Sequence, residues 1–208
     1  EHGYLEGSDM ATTFNMLRAN DLIWSFVVNN YLLGKEPFPF DLLYWNSDAT
    51  RMPAKMHSYY LRNMYQRNLL SQPKALVMNG VPIDVTRIKV PSYIQCSKED
   101  HIAPFRSVYK MVHLFHGPIR LVLAGSGHVA GVINPPAAKK YQLWVNDAKK
   151  FPPTPEEWLA TATEVPGSWW DDWDHCLAGH SGERVPARQA GDGVLPPIED
   201  APCSYVKV

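Results

Sequence analysis

Two ionisable residues, Asp100 and His128, are of the types and spacing that can share proton-transfer chemistry. A carboxylate held against an imidazole fixes the ring tautomer and stabilises the imidazolium formed when the ring takes a proton. Asp100 lies in a polar loop, residues 97–101, after the short apolar run 90–96 (VPSYIQC). His128 lies in a second loop, behind Gly125-Ser126-Gly127 and the apolar run 119–124 (IRLVLA). Between them, Pro104 opens a predicted helix through Val108, Met111, Val112 and Leu114 that stops at Gly117-Pro118. Strand, helix and strand in this order predict a βαβ unit with parallel strands and a right-handed crossover. Ligands and catalytic groups collect outside the carboxyl ends of such strands, and neighbouring strands run about 4.8 Å apart. Loops at one sheet end can therefore bring the two side chains together. Gly125, Ser126, Gly127, Ala130 and Gly131 leave room beside the histidine for a substrate.

An aspartate near a histidine in a loop is also common without catalysis. The order of parts adds to the pair: an acid, a crossover helix, then a histidine in a glycine-rich loop. That order matches the closing section of an α/β-hydrolase arrangement, whose triad runs nucleophile, acid, histidine. No G-x-[SC]-x-G elbow occurs between Glu1 and Asp100. Cys96 sits mid-strand in an apolar run and reads as a packing residue; Cys176 and Cys203 follow His128, in the wrong order for this triad. His101 can touch a substrate or be a solvated loop residue. Trp45, Tyr59 and Tyr60 can line an acyl pocket, with core packing as the alternative. Arg18 and Arg62 can meet a phosphate-bearing ligand or be ordinary surface charges. His113 and His116 read as favourable charges at a helix C-terminus rather than metal ligands. No H-E-x-x-H, P-loop or G-x-G-x-x-G is present, so no metal is expected.

The elements that must position these residues fall into three zones. In residues 9–70 the chain is helical and aromatic. Asp9 is expected to cap a helix running Phe14, Leu17, Trp24, Val28 and Tyr31 that ends at Gly34, with residues 22–33 suited to burial. Residues 35–40 (KEPFPF) form a proline-punctuated link, and a second helix starts near Pro53 and passes Tyr60, Leu61, Met64 and Tyr65. Residues 74–136 hold the βαβ unit. Beyond Asn134 lie ten of the 18 prolines and five of the seven tryptophans, with short helices expected at 137–145, 155–162 and 169–177. From Ala178 onward Gly, Pro and scattered charges read as a tail.

Composition bounds the remaining possibilities. The 208 residues are 45% hydrophobic and 20% charged with a net charge of −1, a globular balance that gives nucleic acid no electrostatic attraction. No apolar run approaches the roughly 20 residues of a transmembrane helix. Cys96, Cys176 and Cys203 are 80 and 27 residues apart, which argues against a disulfide framework or zinc site and for a reducing cytoplasm. The chain opens Glu-His-Gly-Tyr, with no export signal in view.

Several longer stretches resemble polyhydroxyalkanoate synthases, class I in particular. They are residues 15–24 (NMLRANDLIW), 28–33 (VNNYLL), 40–50 (FDLLYWNSDAT), 60–62 (YLR), 97–104 (SKEDHIAP), 125–136 (GSGHVAGVINPP) and 167–173 (GSWWDDW). Residues 205–207 (YVK) also look like the family's C-terminal end. The resemblance implies the C-terminal part of an α/β-hydrolase fold. Residues 1–73 would be a helical lid, 74–150 the core carrying Asp and His, and 151–208 the C-terminal helices and tail. It implies an acyltransferase that polymerises (R)-3-hydroxyacyl-coenzyme A into an intracellular polyester and releases coenzyme A. The thioester is the substrate and no cofactor is implied. Asp100 and His128 fall on the family's catalytic aspartate and histidine, and the cysteine of its G-x-C-x-G elbow has no counterpart here. His101, Trp45, Tyr60 and Arg18 are carried as substrate-binding candidates. A homodimer, a growing polyester chain and the surface of a cytoplasmic polymer granule are the implied partners and place. Thioester exchange suits a thiolate, both good nucleophile and comparable leaving group.

Two other readings stand beside this one. The Asp/His order alone also fits an esterase, thioesterase or depolymerase of the same fold. The aromatic helices or the Trp-rich tail would equally suit a noncatalytic interaction module. In either enzymatic reading the chain by itself is expected to be inactive, because the nucleophile is missing.

Overall fold

The computed structural model describes residues 3–37, 48–148, 150–200 and 203–204. Trp45 lies outside the described residues. The chain divides into two compact units, one of Glu1–Lys89 with Leu114–His116, the other of Val90–His113 with Gly117–Val208.

In the first unit, β1 (Tyr4–Leu5) pairs antiparallel with β2 (Met52–Pro53). The helix Gly7–Leu17 starts two residues before the expected cap, so Asp9 stands in its first turn, where a carboxylate meets the positive end of the helix dipole. The chain continues through π-helical turns Asn20–Trp24 and Val27–Leu32, and Gly34, at φ +61°, takes the left-handed conformation after them. Burial of this segment was expected and is not found: Tyr31 is 85% exposed, and Leu32 and Trp24 are exposed as well. The hydrophobic core cluster lies wholly in the other unit, and the described residues of the first unit leave these apolar side chains exposed.

Pro53 precedes the helix Ala54–Tyr60, which runs on into π-helical Leu61–Gln66. A hairpin that the periodicity did not reveal follows, β3 (Leu76–Met78) with β4 (Val81–Ile83). Its two-residue turn is Asn79-Gly80, both at positive φ, the composition favoured in tight hairpins because its twist matches that of the strands.

The second unit is built on a mixed sheet in the order β5-β6-β7-β8. β5 (Ser92–Ser97) and β6 (Ile119–Ala124) are parallel, as the βαβ reading requires, with Tyr93 opposite Arg120 and Ser97 opposite Ala124. Their connection contains the helix Phe105–Val108 and the 3-10 turn Tyr109–His113. Residues 137–145 are a correction. They form a short 3-10 turn, Pro136–Ala138, and then β7 (Gln142–Val145), antiparallel to β6. Lys139 and Tyr141 at positive φ break any helix there, and Leu143 and Trp144 are worth more buried on either face of the sheet. β8 (Thr163–Pro166) closes the order, antiparallel to β7. β6 is therefore an interior strand, not the exposed edge that a bare βαβ fragment would give it, and its Val122 and Leu123 are completely buried.

Alternation along the strands sorts the two faces. Ile94, Cys96, Leu121, Leu123 and Trp144 point to one side and pack with Tyr109, Val112 and Trp158 as the core. Trp158 is delivered by the helix Pro155–Ala160, whose start is fixed by Pro155 in the first turn and a reciprocal Thr154–Glu157 capping box. Tyr93 and Arg120 reach the opposite face, where the helix Trp170–Ala178 is tied down. Arg120 donates from Nε and Nη2 to the two oxygens of Asp172, and Tyr93 donates its hydroxyl proton to the same carboxylate at 3.0 Å. Residues 179–200 are exposed and carry no regular structure.

Candidate active site

The ladder between β5 and β6 does not stop at the strand ends. Lys98 N–H donates to the Ala124 carbonyl at 2.9 Å, and Glu99 N–H donates to the Ser126 carbonyl at 3.0 Å. These two bonds zip the loop after β5 to the loop after β6, one residue short of Asp100 and two short of His128. Ser126 accepts φ +74° to make the second bond, a conformation that costs a non-glycine residue energy and needs surrounding contacts to hold it. Beyond it, Gly131 N–H bonds to Gly127 O, and Val132 and Ile133 N–H both bond to Val129 O. His128 thus stands at the head of a coil of consecutive turns.

That coil rests on the end of β5. A Cβ built on Gly131 would lie 2.2 Å from Ser97 Oγ and 2.6 Å from the Gly127 carbonyl oxygen. Ser97 is buried and takes a hydrogen bond from Gln95 Nε2, whose amide also reaches the Gly131 carbonyl. Only glycine fits at 131, for want of space rather than for its φ.

The outcome is a direct Asp–His pair. His128 Nδ1 lies 2.8 Å from Asp100 Oδ2, while Asp100 Oδ1 accepts the backbone N–H groups of Ile102 at 2.8 Å and Ala103 at 2.9 Å. The Asp100 side chain is 7% exposed and that of His128 is 46% exposed. Burial alone would raise the Asp100 carboxyl. The hydrogen bonds from Ala103, His128 and Ile102 and the histidine's charge outweigh it and hold the group below the usual carboxylate range. An ionised carboxylate only accepts, so Nδ1 carries the proton and Nε2 is the ring's acceptor in the neutral imidazole. This is the arrangement a general base requires.

The other candidates are placed differently. His101 is next to Asp100 and exposed. A cavity of about 270 Å³ touches Asp100 and is walled by Lys98, Phe105, Arg106, Glu156 and Leu159. In the first unit, Arg18 is ion-paired with Asp21. Tyr60 packs edge-on against Tyr65 at 5.3 Å and is half-exposed, not core. Tyr59 and Arg62 line an open cavity of about 600 Å³ in that unit, together with Lys55 and Arg67. Cys96 is buried, donates its thiol to the Val122 carbonyl, and is pushed up to about 12 by burial and then by the charge of Asp100. It is a packing residue. Among the described residues no group of three or more His, Cys, Asp or Glu is placed to hold a metal ion, and no helix is long and apolar enough to cross a membrane.

Periodicity gave no sign of Gly131, Gln95 and Ser97 as a floor under the histidine loop, or of Arg120 and Asp172 as a brace. Gly131 and Asp172 lie in the stretches 125–136 and 167–173, which carry no chemistry until the fold brings them to the strands that hold Gln95, Ser97 and Arg120.

The site is a hydrogen-bonded Asp–His pair at the carboxyl end of a parallel strand pair in an α/β protein. No family model matches the chain. Curated relatives do. The sequence is 53% identical over 206 residues to the poly(3-hydroxyalkanoate) polymerase subunit PhaC of Rhizobium meliloti, covering 99% of this chain and 33% of the relative. It is 50% identical over 204 residues to the subunit PhaC of Rhizobium etli, covering 98% and 32%. It is 52% identical over 211 residues to the poly(3-hydroxyalkanoate) polymerase of Methylorubrum extorquens, covering 100% and 34%. The chain is similar to poly(3-hydroxyalkanoate) polymerases over nearly its whole length and spans about one third of the length of the curated relatives it matches.

Proposed function

We propose that this chain supplies the acid–base half of an acyltransferase that polymerises (R)-3-hydroxyacyl-coenzyme A into polyhydroxyalkanoate with release of coenzyme A. The observation that carries the reading is the 2.8 Å contact of His128 Nδ1 with an Asp100 carboxylate already fixed by two backbone amides. That pair leaves Nε2 to take a proton from a cysteine thiol supplied by the rest of the polymerase. The resulting thiolate attacks the thioester carbonyl, forming an acyl-cysteine and expelling coenzyme A. The same nitrogen, or Asp100, then serves the 3-hydroxyl of the next unit as it attacks the acyl group. The relatives' names, poly(3-hydroxyalkanoate) polymerase in each case, support this reading.

Residues 1–73 act as a lid, and Trp45, Tyr60, Arg18 and His101 meet the acyl-coenzyme A or the growing polyester. The assembled polymerase is a cytoplasmic homodimer on a polymer granule and needs no cofactor.

The test is His128→Gln in a polymerase chain that carries this segment together with its nucleophile. Coenzyme A release from (R)-3-hydroxybutyryl-coenzyme A should fall by about 10²–10⁴-fold, the usual worth of a general base. Near-wild-type turnover by the folded variant would remove His128 from the mechanism.

A further inference from the structure

The loop that carries His128 is held from outside by two tryptophans. Trp169 Nε1–H and Trp170 Nε1–H both donate to the carbonyl of Val132, at 3.1 and 2.9 Å, and the Asn134 amide reaches the same oxygen at 3.2 Å. Two indoles donate to one carbonyl, and Val132 lies in the coil of turns that starts at His128.

The tryptophans are themselves anchored to the strands behind the site. Trp170 N–H donates to the buried Ser168 Oγ at 3.0 Å, which orients the first helical turn. Trp169 packs at tilted angles between Tyr93 and Trp173, with ring centroids 6.1 and 5.9 Å away. Three residues after Trp169, Asp172 is gripped by Tyr93 of β5 and Arg120 of β6. These are the strands whose ends carry Asp100 and His128. Residues 167–173 therefore connect the strand pair to the far side of the histidine loop.

We infer that Trp169 and Trp170 are positioning residues for His128: their paired indole N–H groups clamp the Val132 carbonyl and so hold the imidazole against Asp100. The inference rests on the acid–base role assigned to His128. Either indole alone still occupies the carbonyl, so the two substitutions are not independent. Phe at both positions keeps an aromatic ring and removes both donors. The loop is then free to drift, and displacements of about 1 Å at a reacting group cost up to about 10²-fold in rate.

The experiment uses the complete polymerase with Trp169→Phe, Trp170→Phe and the double substitution, each with and without His128→Gln. Coenzyme A release is followed over a range of (R)-3-hydroxybutyryl-coenzyme A, and the folded fraction is fixed by thermal melting. Each single variant should lose about two- to three-fold in kcat, and the double about ten-fold or more, beyond the product of the singles, with KM changed less than two-fold. On the His128→Gln background the double should cost nothing further, because a residue acting through the imidazole has nothing left to position. Full kcat per folded enzyme in the double variant, or an equal loss with and without His128, overturns the clamp while leaving the role of His128 intact. Wild-type turnover by His128→Gln alone overturns the reading of the site, and the clamp with it.

Discussion

Gly131→Ala is the sharpest probe of how the fold carries the histidine. The added methyl would sit 2.2 Å from Ser97 Oγ, 2.6 Å from Gly127 O and 2.7 Å from Ser97 Cβ. Carbon atoms in good contact stand about 3.5–4 Å from their neighbours, so the coil must lift by about 1 Å. Ser97 cannot yield, because it is buried on β5 and held by Gln95. Overpacking of this kind costs about 1–3 kcal/mol, which the variant should show as a lowered melting temperature. The larger effect falls on rate, since the same 1 Å opens the Asp100–His128 bond and costs up to about 10²-fold in kcat. Coenzyme A release and thermal melting, measured on one preparation of a polymerase chain that carries this segment together with its nucleophile, read both numbers. Ser97→Ala in the same chain removes the Oγ clash but leaves Gly127 O and Ser97 Cβ in place, so rescue should be partial. Gly131→Ala with unchanged melting and unchanged turnover would refute the claim that the loop is seated on Ser97.

Asp100 gives a pH signature. Its carboxyl is held below the unfolded value of about 3.9, so its stabilising contribution is present above that value and is lost as pH falls through the lower folded pKa. The melting-temperature gap between wild type and Asp100→Asn should be constant near neutrality and close below about pH 4; a gap that widens in acid contradicts the hydrogen-bond account. Cys96, pushed up to about 12, should resist alkylation at pH 8 until the chain is denatured, and Cys96→Ala in the polymerase should keep its turnover; fast native labelling would show the thiol to be exposed. Asp172→Ala removes the brace on Arg120 and Tyr93 and should cost roughly 1.5–3 kcal/mol, the worth of hydrogen bonds to a charged group, whereas Tyr93→Phe should cost about 1 kcal/mol. Equal melting of all three proteins would show that the brace is not under load.

Much of the second unit was legible because its signals are local. A proline-opened helix between two short apolar runs implies parallel strands, and residues at the ends of parallel neighbours meet. The meeting of Asp100 and His128 follows from that rule, and the burial of Cys96 follows from its place within a strand. Residues 137–145 were not legible: apolar spacing there suits a helix or a strand, and the vacant side of β6 decided between them. In the first unit the Asn79-Gly80 turn was a readable signal that apolar periodicity passed over. Helical spacing in residues 22–33 implied a buried face that the described residues of the unit do not cover, because periodicity records which side is apolar and not whether anything covers it. The carboxylate, the imidazole and their order were determined by the sequence itself. Their 2.8 Å separation, the zipped loops, the seat of Gly131 on Ser97 and the grip of residues 167–173 were decided only by tertiary structure, because each joins residues whose distance apart along the chain says nothing of their distance in space.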